Sequence, residues 1–252
     1  MNSPDNDYLS QTPMLDYDHP SLQALIKAKC WRELSPYDAI GAIYTFVRDD
    51  IHFGYNTDDT IPASQVLKDG YGQCNTKGTL LMALLRGVGI SNRFHGFTIH
   101  NELQRGAIPW YLFALAPERI VHSWVEVYLD GRWINLEGYI IDRAYLGQVQ
   151  ARFGDECKTF SGYGVATPCL AQPPIDWHGE NTYIQNEGIA DDFGVYARPD
   201  DFYPTHSNLA GVKKWLFRYL FRHLMNRNVD RIRRRGISGR SRKPFTRMIR
   251  QD

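Results

Sequence analysis

The chain has 252 residues, 43% hydrophobic and 23% charged, which is ordinary for a soluble globular protein and allows one sizeable domain or a domain with an appendage. No stretch approaches the length of a membrane-spanning helix, and the polar, acidic, proline-bearing residues 1–20 do not read as a signal peptide, so the expected location is cytoplasmic. The net charge of +1 conceals a division: residues 208–252 hold fourteen Lys and Arg against two Asp, while the remaining 207 residues are net acidic.

In chain order, an irregular arm precedes a helix that starts after His19-Pro20-Ser21 and carries Leu22, Leu25 and Ile26 on one face. Ser35 is placed to cap a second helix, with Pro36 in its first turn and Ile40, Ile43, Tyr44 and Val47 at helical spacing. Residues 51–55 read as extended, residues 64–68 as a short helix closed by Asp69-Gly70. Next, Tyr71-Gly72-Gln73-Cys74 opens a helix with the buried stripe Leu80, Leu81, Leu84, Leu85 and Val88. Residues 93–99 and 110–115 read as strands. The run 121–139 places two β-type segments around Asp130-Gly131, a hairpin signal. Residues 140–205 are aromatic and turn-rich and give no clear pattern.

Residues 209–225 read as an amphipathic helix. Its apolar stripe is Leu209, Val212, Trp215, Leu216, Tyr219 and Leu220, with Lys214, Arg218 and Arg222 as a basic row. A tail of this kind fits an anionic membrane surface or, through residues 231–235, nucleic acid. The plainer alternative is a helix docked on the acidic body.

Four cysteines are few for this length, and in a reducing compartment they are expected as thiols. Cys157, Cys169 and His178 lack the spacing of a tight metal-ligand pair, so the two cysteines read as packing thiols. Cys74 is different. It follows a glycine turn at a helix start, where unpaired backbone N–H groups and the helix dipole stabilise a thiolate. The same N–H groups can hold the oxyanion formed when that thiolate attacks a carbonyl, and Gly72 lets a substrate approach the backbone. Read as structure alone, Cys74 is a small buried residue.

A two-residue turn at Asp130-Gly131 sets the hairpin register: Leu129 opposes Arg132, Trp124 opposes Glu137 and His122 opposes Tyr139. One face then carries Val121, Val125, Val127, Leu129, Ile134 and Leu136. The other carries His122, Trp124, Glu126, Tyr128, Trp133, Asn135, Glu137 and Tyr139. His122 and Glu137 become diagonal neighbours about 7–8 Å apart at Cα, a gap a glutamate can span to orient the imidazole.

With Gly72-Gln73-Cys74 upstream and His122-Ser123-Trp124-Val125-Glu126-Val127-Tyr128 downstream, followed by Trp133 and an acidic residue four positions on, the chain resembles the transglutaminase-like superfamily, whose fold is related to papain-like cysteine proteases. The similarity spans roughly residues 20–140. It implies an α+β fold, with a helical part carrying Cys74 packed on an antiparallel sheet carrying His122 and the acidic residue. It also implies Cys74 as nucleophile, His122 as base and position 137 as the third member of a triad. The family usually has aspartate there; this chain has Glu137, one methylene longer, and Asp142 is the fallback carboxylate.

The expected organisation is a domain over 1–207 and a basic helix and tail over 208–252. The expected chemistry is acyl transfer through a thioester on Cys74, by hydrolysis or transfer to an amine, on a peptide, protein or small amide, with no metal or organic cofactor required. Gly72, Gln73, Trp124 and Tyr139 are the oxyanion or substrate-pocket candidates. The rival readings are a non-catalytic peptide-binding module with the same cleft, and a membrane or RNA adaptor acting through the tail.

Overall fold

The computed structural model describes residues 6–154, 157–207 and 211–237. In chain order these form α1 (Pro20–Ala28), α2 (Pro36–Asp49), β1 (His52–Phe53), α3 (Ala63–Asp69), β2 (Tyr71–Gly72), α4 (Cys74–Gly87), β3 (Asn92–His100), α5 (Trp110–Phe113), β4 (Arg119–Leu129), β5 (Arg132–Leu136), α6 (Arg143–Phe153), β6 (Phe160–Gly162), β7 (Val165–Thr167), β8 (Ile189–Tyr196), α7 (Gly211–Leu216) and α8 (Arg222–Arg235). A π-helical turn, Phe217–Phe221, joins α7 to α8. The architecture is α+β. The antiparallel sheet runs β5-β4-β3-β8, and α4 packs on it.

Local chemistry places the helices. Ser35 Oγ accepts the Asp38 N–H at 3.2 Å and Pro36 starts α2, as expected of that sequence. Every residue of α4 is buried, because α1, α2 and α3 cover it on one side and β4 on the other. Such a helix must satisfy its internal polar groups. Lys77, fully buried, donates to the Arg48 carbonyl at 3.1 Å and the Ile140 carbonyl at 3.0 Å, closing one of the carbonyls that the end of α2 leaves open.

Burial pushes the Lys77 ammonium down to about 7, against the opposing pull of Asp142 and Asp49. Between pH 7 and 10.5 the unfolded chain therefore binds the proton that the folded chain has released, so the cost of burying this lysine is relieved as pH rises. In Lys77→Met that dependence is gone. Urea titrations of both proteins at pH 7 to 9.5 should show the variant's relative stability falling with pH by up to ~1.4 kcal/mol per unit. A difference that stays constant over this range would count against a depressed lysine.

The hairpin forms in the expected register. Asp130 and Gly131 both take positive φ (50° and 83°), and Leu129 pairs with Arg132, Val127 with Ile134 and Val125 with Leu136. The ladder then stops. Leu136 bridges to Thr182 instead, and the Glu137 N–H donates to the Thr182 carbonyl at 3.1 Å. The expected pairs Trp124–Glu137 and His122–Tyr139 are therefore absent from this ladder. Face alternation fails with it: Tyr139 turns toward α4, close to Gly78 and Tyr44, rather than sharing a face with His122.

Two further expectations are corrected. Residues 110–115 hold the short helix α5 rather than a strand, since the N–H groups of Leu112 and Phe113 both bond back to the Pro109 carbonyl at 2.9 Å. Cys157 and Cys169 are not thiols but a disulfide, S–S 2.05 Å. In the tail helix, Leu209 lies outside the described residues. The basic row faces the body: Lys214 and Arg218 reach Asp58 at 2.7 and 3.1 Å, and Arg222 donates to the Tyr71 hydroxyl at 3.2 Å. Much of the apolar stripe, Val212, Trp215, Tyr219 and Leu220, is left exposed. The ion pairs with Asp58 and the packing of Phe217 and Phe221 on the main core set the rotation of this segment.

Farther along, Met225, Val229 and Ile232 join the main core. Arg233 pairs with buried Asp142 at 2.9 Å, and that aspartate also caps α6 and accepts the Phe53 N–H. Among the described residues no helix is long and apolar enough to cross a membrane.

Candidate active site

Cys74 is the first residue of α4, 8% exposed, and lines a cavity of about 340 Å³. Helical geometry leaves the N–H groups of this first turn without intrahelical partners. The approach to the helix is fixed. Gly72 lies in β2, and a side chain there would collide with Thr76, Lys77 and Asn56. The Gln73 N–H donates to Thr76 Oγ1 at 3.2 Å, while its side chain accepts from the Asn56 N–H at 3.0 Å and donates to Asp59 at 2.9 Å.

The Cys74 thiol donates to the side-chain oxygen of Asn75 at 3.4 Å; that oxygen also accepts from Ser123 on β4 at 3.2 Å, and the Asn75 amide donates to the Val121 carbonyl at 3.3 Å. Asn75 thus ties the start of α4 to the strand that carries His122.

His122 is fully buried on β4, its ring edge-on to Phe97 at 4.7 Å. Its Nε2 lies 3.1 Å from Glu137 Oε1. The other Glu137 oxygen accepts two backbone N–H groups, from Ile184 at 2.9 Å and Gln185 at 3.0 Å. The carboxylate is therefore held from a segment almost fifty residues away, without solvent. Nδ1 has no hydrogen-bond partner of good geometry among the described residues. Burial by itself would push the imidazole down; the charge of Cys74, hydrogen bonding toward its sulfur, and Glu137 outweigh burial and raise it to about 9. Cys74 and Glu137 thus act on the same imidazole, with Nε2 taken by the carboxylate.

The remaining sequence candidates fall elsewhere. Tyr139 is fully buried, and its hydroxyl donates to the Cys74 carbonyl at 3.1 Å, so it braces the start of α4 and does not line the cavity. Trp124 does not line it either. Its ring packs on Phe97 and His95, and its Nε1 donates to Glu126 at 3.4 Å. Glu126 in turn holds Arg93 at 2.6 Å and His95 at 3.3 Å, and His95 reaches Asp192 on β8 at 2.6 Å. The Trp and Glu of the strand motif therefore knit β3, β4 and β8 together. Asp142, the fallback carboxylate, is committed to Arg233 and α6.

Two residues beside the sulfur escaped the sequence reading. Asn75 follows Cys74 directly, and that adjacency was the available signal. Asp59 lines the cavity next to Gln73, and burial raises its carboxyl above the usual range despite the Gln73 hydrogen bond; nothing in the polar loop 56–60 marked it.

The resemblance read from the two motifs agrees with the family match. Residues 25–138 match the family model described as the Transglutaminase-like superfamily. No curated protein matches the chain. Among solved structures, a "Putative Cysteine Protease from Cytophaga hutchinsonii" aligns with a TM-score of 0.41 and 20% identity over 53% of this chain. The match covers 42% of that protein, so the chain spans less than half of the neighbour's length.

Proposed function

We propose that this chain, transglutaminase-like over residues 25–138, transfers acyl groups through a thioester on Cys74, with His122 and Glu137 completing a triad. The observation that carries the reading is the imidazole between two partners: Glu137 fixed on Nε2, and the Cys74 sulfur contributing to a pKa raised to about 9. An imidazole of that basicity holds its proton at neutral pH. His122 then acts as the counterion of a Cys74 thiolate and as the general acid that protonates the leaving group.

In the first step the thiolate attacks the donor carbonyl, the C–S bond forms, and the oxyanion is held by backbone N–H groups at the start of α4. The bond to the leaving group breaks as His122 gives up its proton. Water or an amine, deprotonated by the now neutral His122, then releases the acyl group. Gln73 supports the site by anchoring the turn to Asn56 and Asp59.

The test is mass spectrometry of the whole protein after brief exposure to an activated acyl ester. The expected result is one added acyl group, mapped to Cys74 rather than to the exposed Cys30. Acylation at Cys30 with Cys74 unmodified would reject the reading.

A further inference from the structure

The cavity beside Cys74 is apolar where an amide-binding cleft needs donors and acceptors. Its walls include Ile99, Ile108, Leu112, Val121, Phe217 and Phe221. Several polar side chains on its lining are already joined to partners. The Tyr55 hydroxyl donates to Gln104 at 2.8 Å, Asp58 is neutralised by Lys214 and Arg218, and Asp59 accepts from Gln73. With about 30 Å³ for each water-sized group, 340 Å³ accommodates roughly ten methylene-sized groups.

The cavity extends outward to Leu115, which is 55% exposed, and α5 and α7 stand at this end. Val212 and Trp215 on α7, 74% and 60% exposed, present large apolar side chains to solvent. Lys213 and Lys214 lie on the cavity lining beside them. Apolar patches of this kind mark binding sites, and aromatic rings next to lysines suit the boundary between hydrocarbon and water.

We infer that the acyl donor is a long-chain fatty ester or thioester, whose hydrocarbon lies in this cavity while its carbonyl meets Cys74. The inference rests on the acyl-transfer reading and adds the class of donor. Chemically the step is the one above: the thiolate takes the acyl carbon, the alcohol or thiol leaves with the His122 proton, and water then releases the fatty acid.

The experiment uses the full chain and 4-nitrophenyl esters from acetyl to dodecanoyl, each below its micelle concentration, followed by nitrophenol release and by mass of the acylated protein. Their intrinsic reactivity toward thiols changes little with length, so a length dependence reports the cavity. The expected result is a rise in kcat/KM of about fourfold per methylene, levelling near ten carbons. Leu112→Trp, which narrows the cavity, should move the plateau to shorter chains.

Acylation of Cys74 with no dependence on length, or with a preference for acetyl, would overturn this inference and leave the acyl-transfer reading standing. Failure of every ester to acylate Cys74 would overturn both. A second arm offers the decanoyl ester dispersed in buffer or embedded in phosphatidylglycerol vesicles. Faster turnover from vesicles assigns a membrane lipid as the source and faster turnover from buffer a soluble thioester; either supports the long-chain donor, and equal failure in both, with acetyl turned over, refutes it.

Discussion

Cys74→Ala should lower kcat/KM toward an activated acyl donor by roughly 10⁴- to 10⁶-fold, the scale at which loss of a covalent nucleophile is felt in a triad enzyme. Among the described residues no other group is placed to replace it. The neighbouring oxygens belong to Asn75 and Ser123, which are engaged with each other, and Ser123 also shares a hydrogen bond with Tyr203 at 2.8 Å. The change removes a weak thiol hydrogen bond, 3.4 Å long, and the sulfur's share in raising His122, whose imidazole should then lose its proton more readily, so stability should fall by only about 1 kcal/mol. Activity and folding therefore separate cleanly: the variant should melt nearly as the parent does while turnover disappears. Residual activity above about one part in a hundred, after contaminating enzyme is excluded, would remove Cys74 from the role of nucleophile.

Glu137→Gln should cost about 10⁴-fold in kcat, the effect known when the carboxylate of a serine triad becomes an amide. The local hydrogen bonds give the reason. Oε2 accepts the N–H groups of Ile184 and Gln185, so an amide at this position must leave its oxygen there. Its NH₂ then points at His122 Nε2, which is forced to accept and to carry its proton on Nδ1 instead. That tautomer cannot receive a proton from Cys74.

The same substitution removes one of the influences that hold the imidazole near 9. In the parent, activity should fall as pH rises through about 9 and His122 loses its proton. In the variant, the residual activity should fall at lower pH. Glu137→Asp keeps the charge but is shorter by a methylene; it should recover part of the rate and part of the alkaline limb. A variant with an unshifted limb and near-parental turnover would show that Glu137 only fills space.

Much of the architecture around the site was legible in local sequence. A capped α2, a helix beginning at Cys74 and a two-residue turn at Asp130-Gly131 are each specified by residues within a few positions of one another, and all form as read. The error at α5 was local, decided at Pro109, whereas the hairpin error arose where the controlling contact is distant. Alternation was extrapolated past Leu136, but Thr182 captures the strand end and reverses which way Tyr139 points. For the tail helix, the local sequence left docking on the acidic body beside membrane or nucleic-acid binding, and which side faces the body follows from Asp58, which pairs with Lys214 and Arg218.

By itself the sequence determined the reactive chemistry on offer: a cysteine at a helix mouth, a histidine on a strand and a carboxylate beyond a tight turn, because helix starts and hairpins are encoded by neighbours. Tertiary structure alone decided the environment of those groups. It brought the amides of residues 184 and 185 to Glu137, turned Tyr139 into a brace, joined Cys157 to Cys169, and closed an apolar cavity with side chains from the tail. Hydrogen bonds and burial between segments 40 to 170 residues apart leave no periodic trace in either segment, so only the folded chain reveals them.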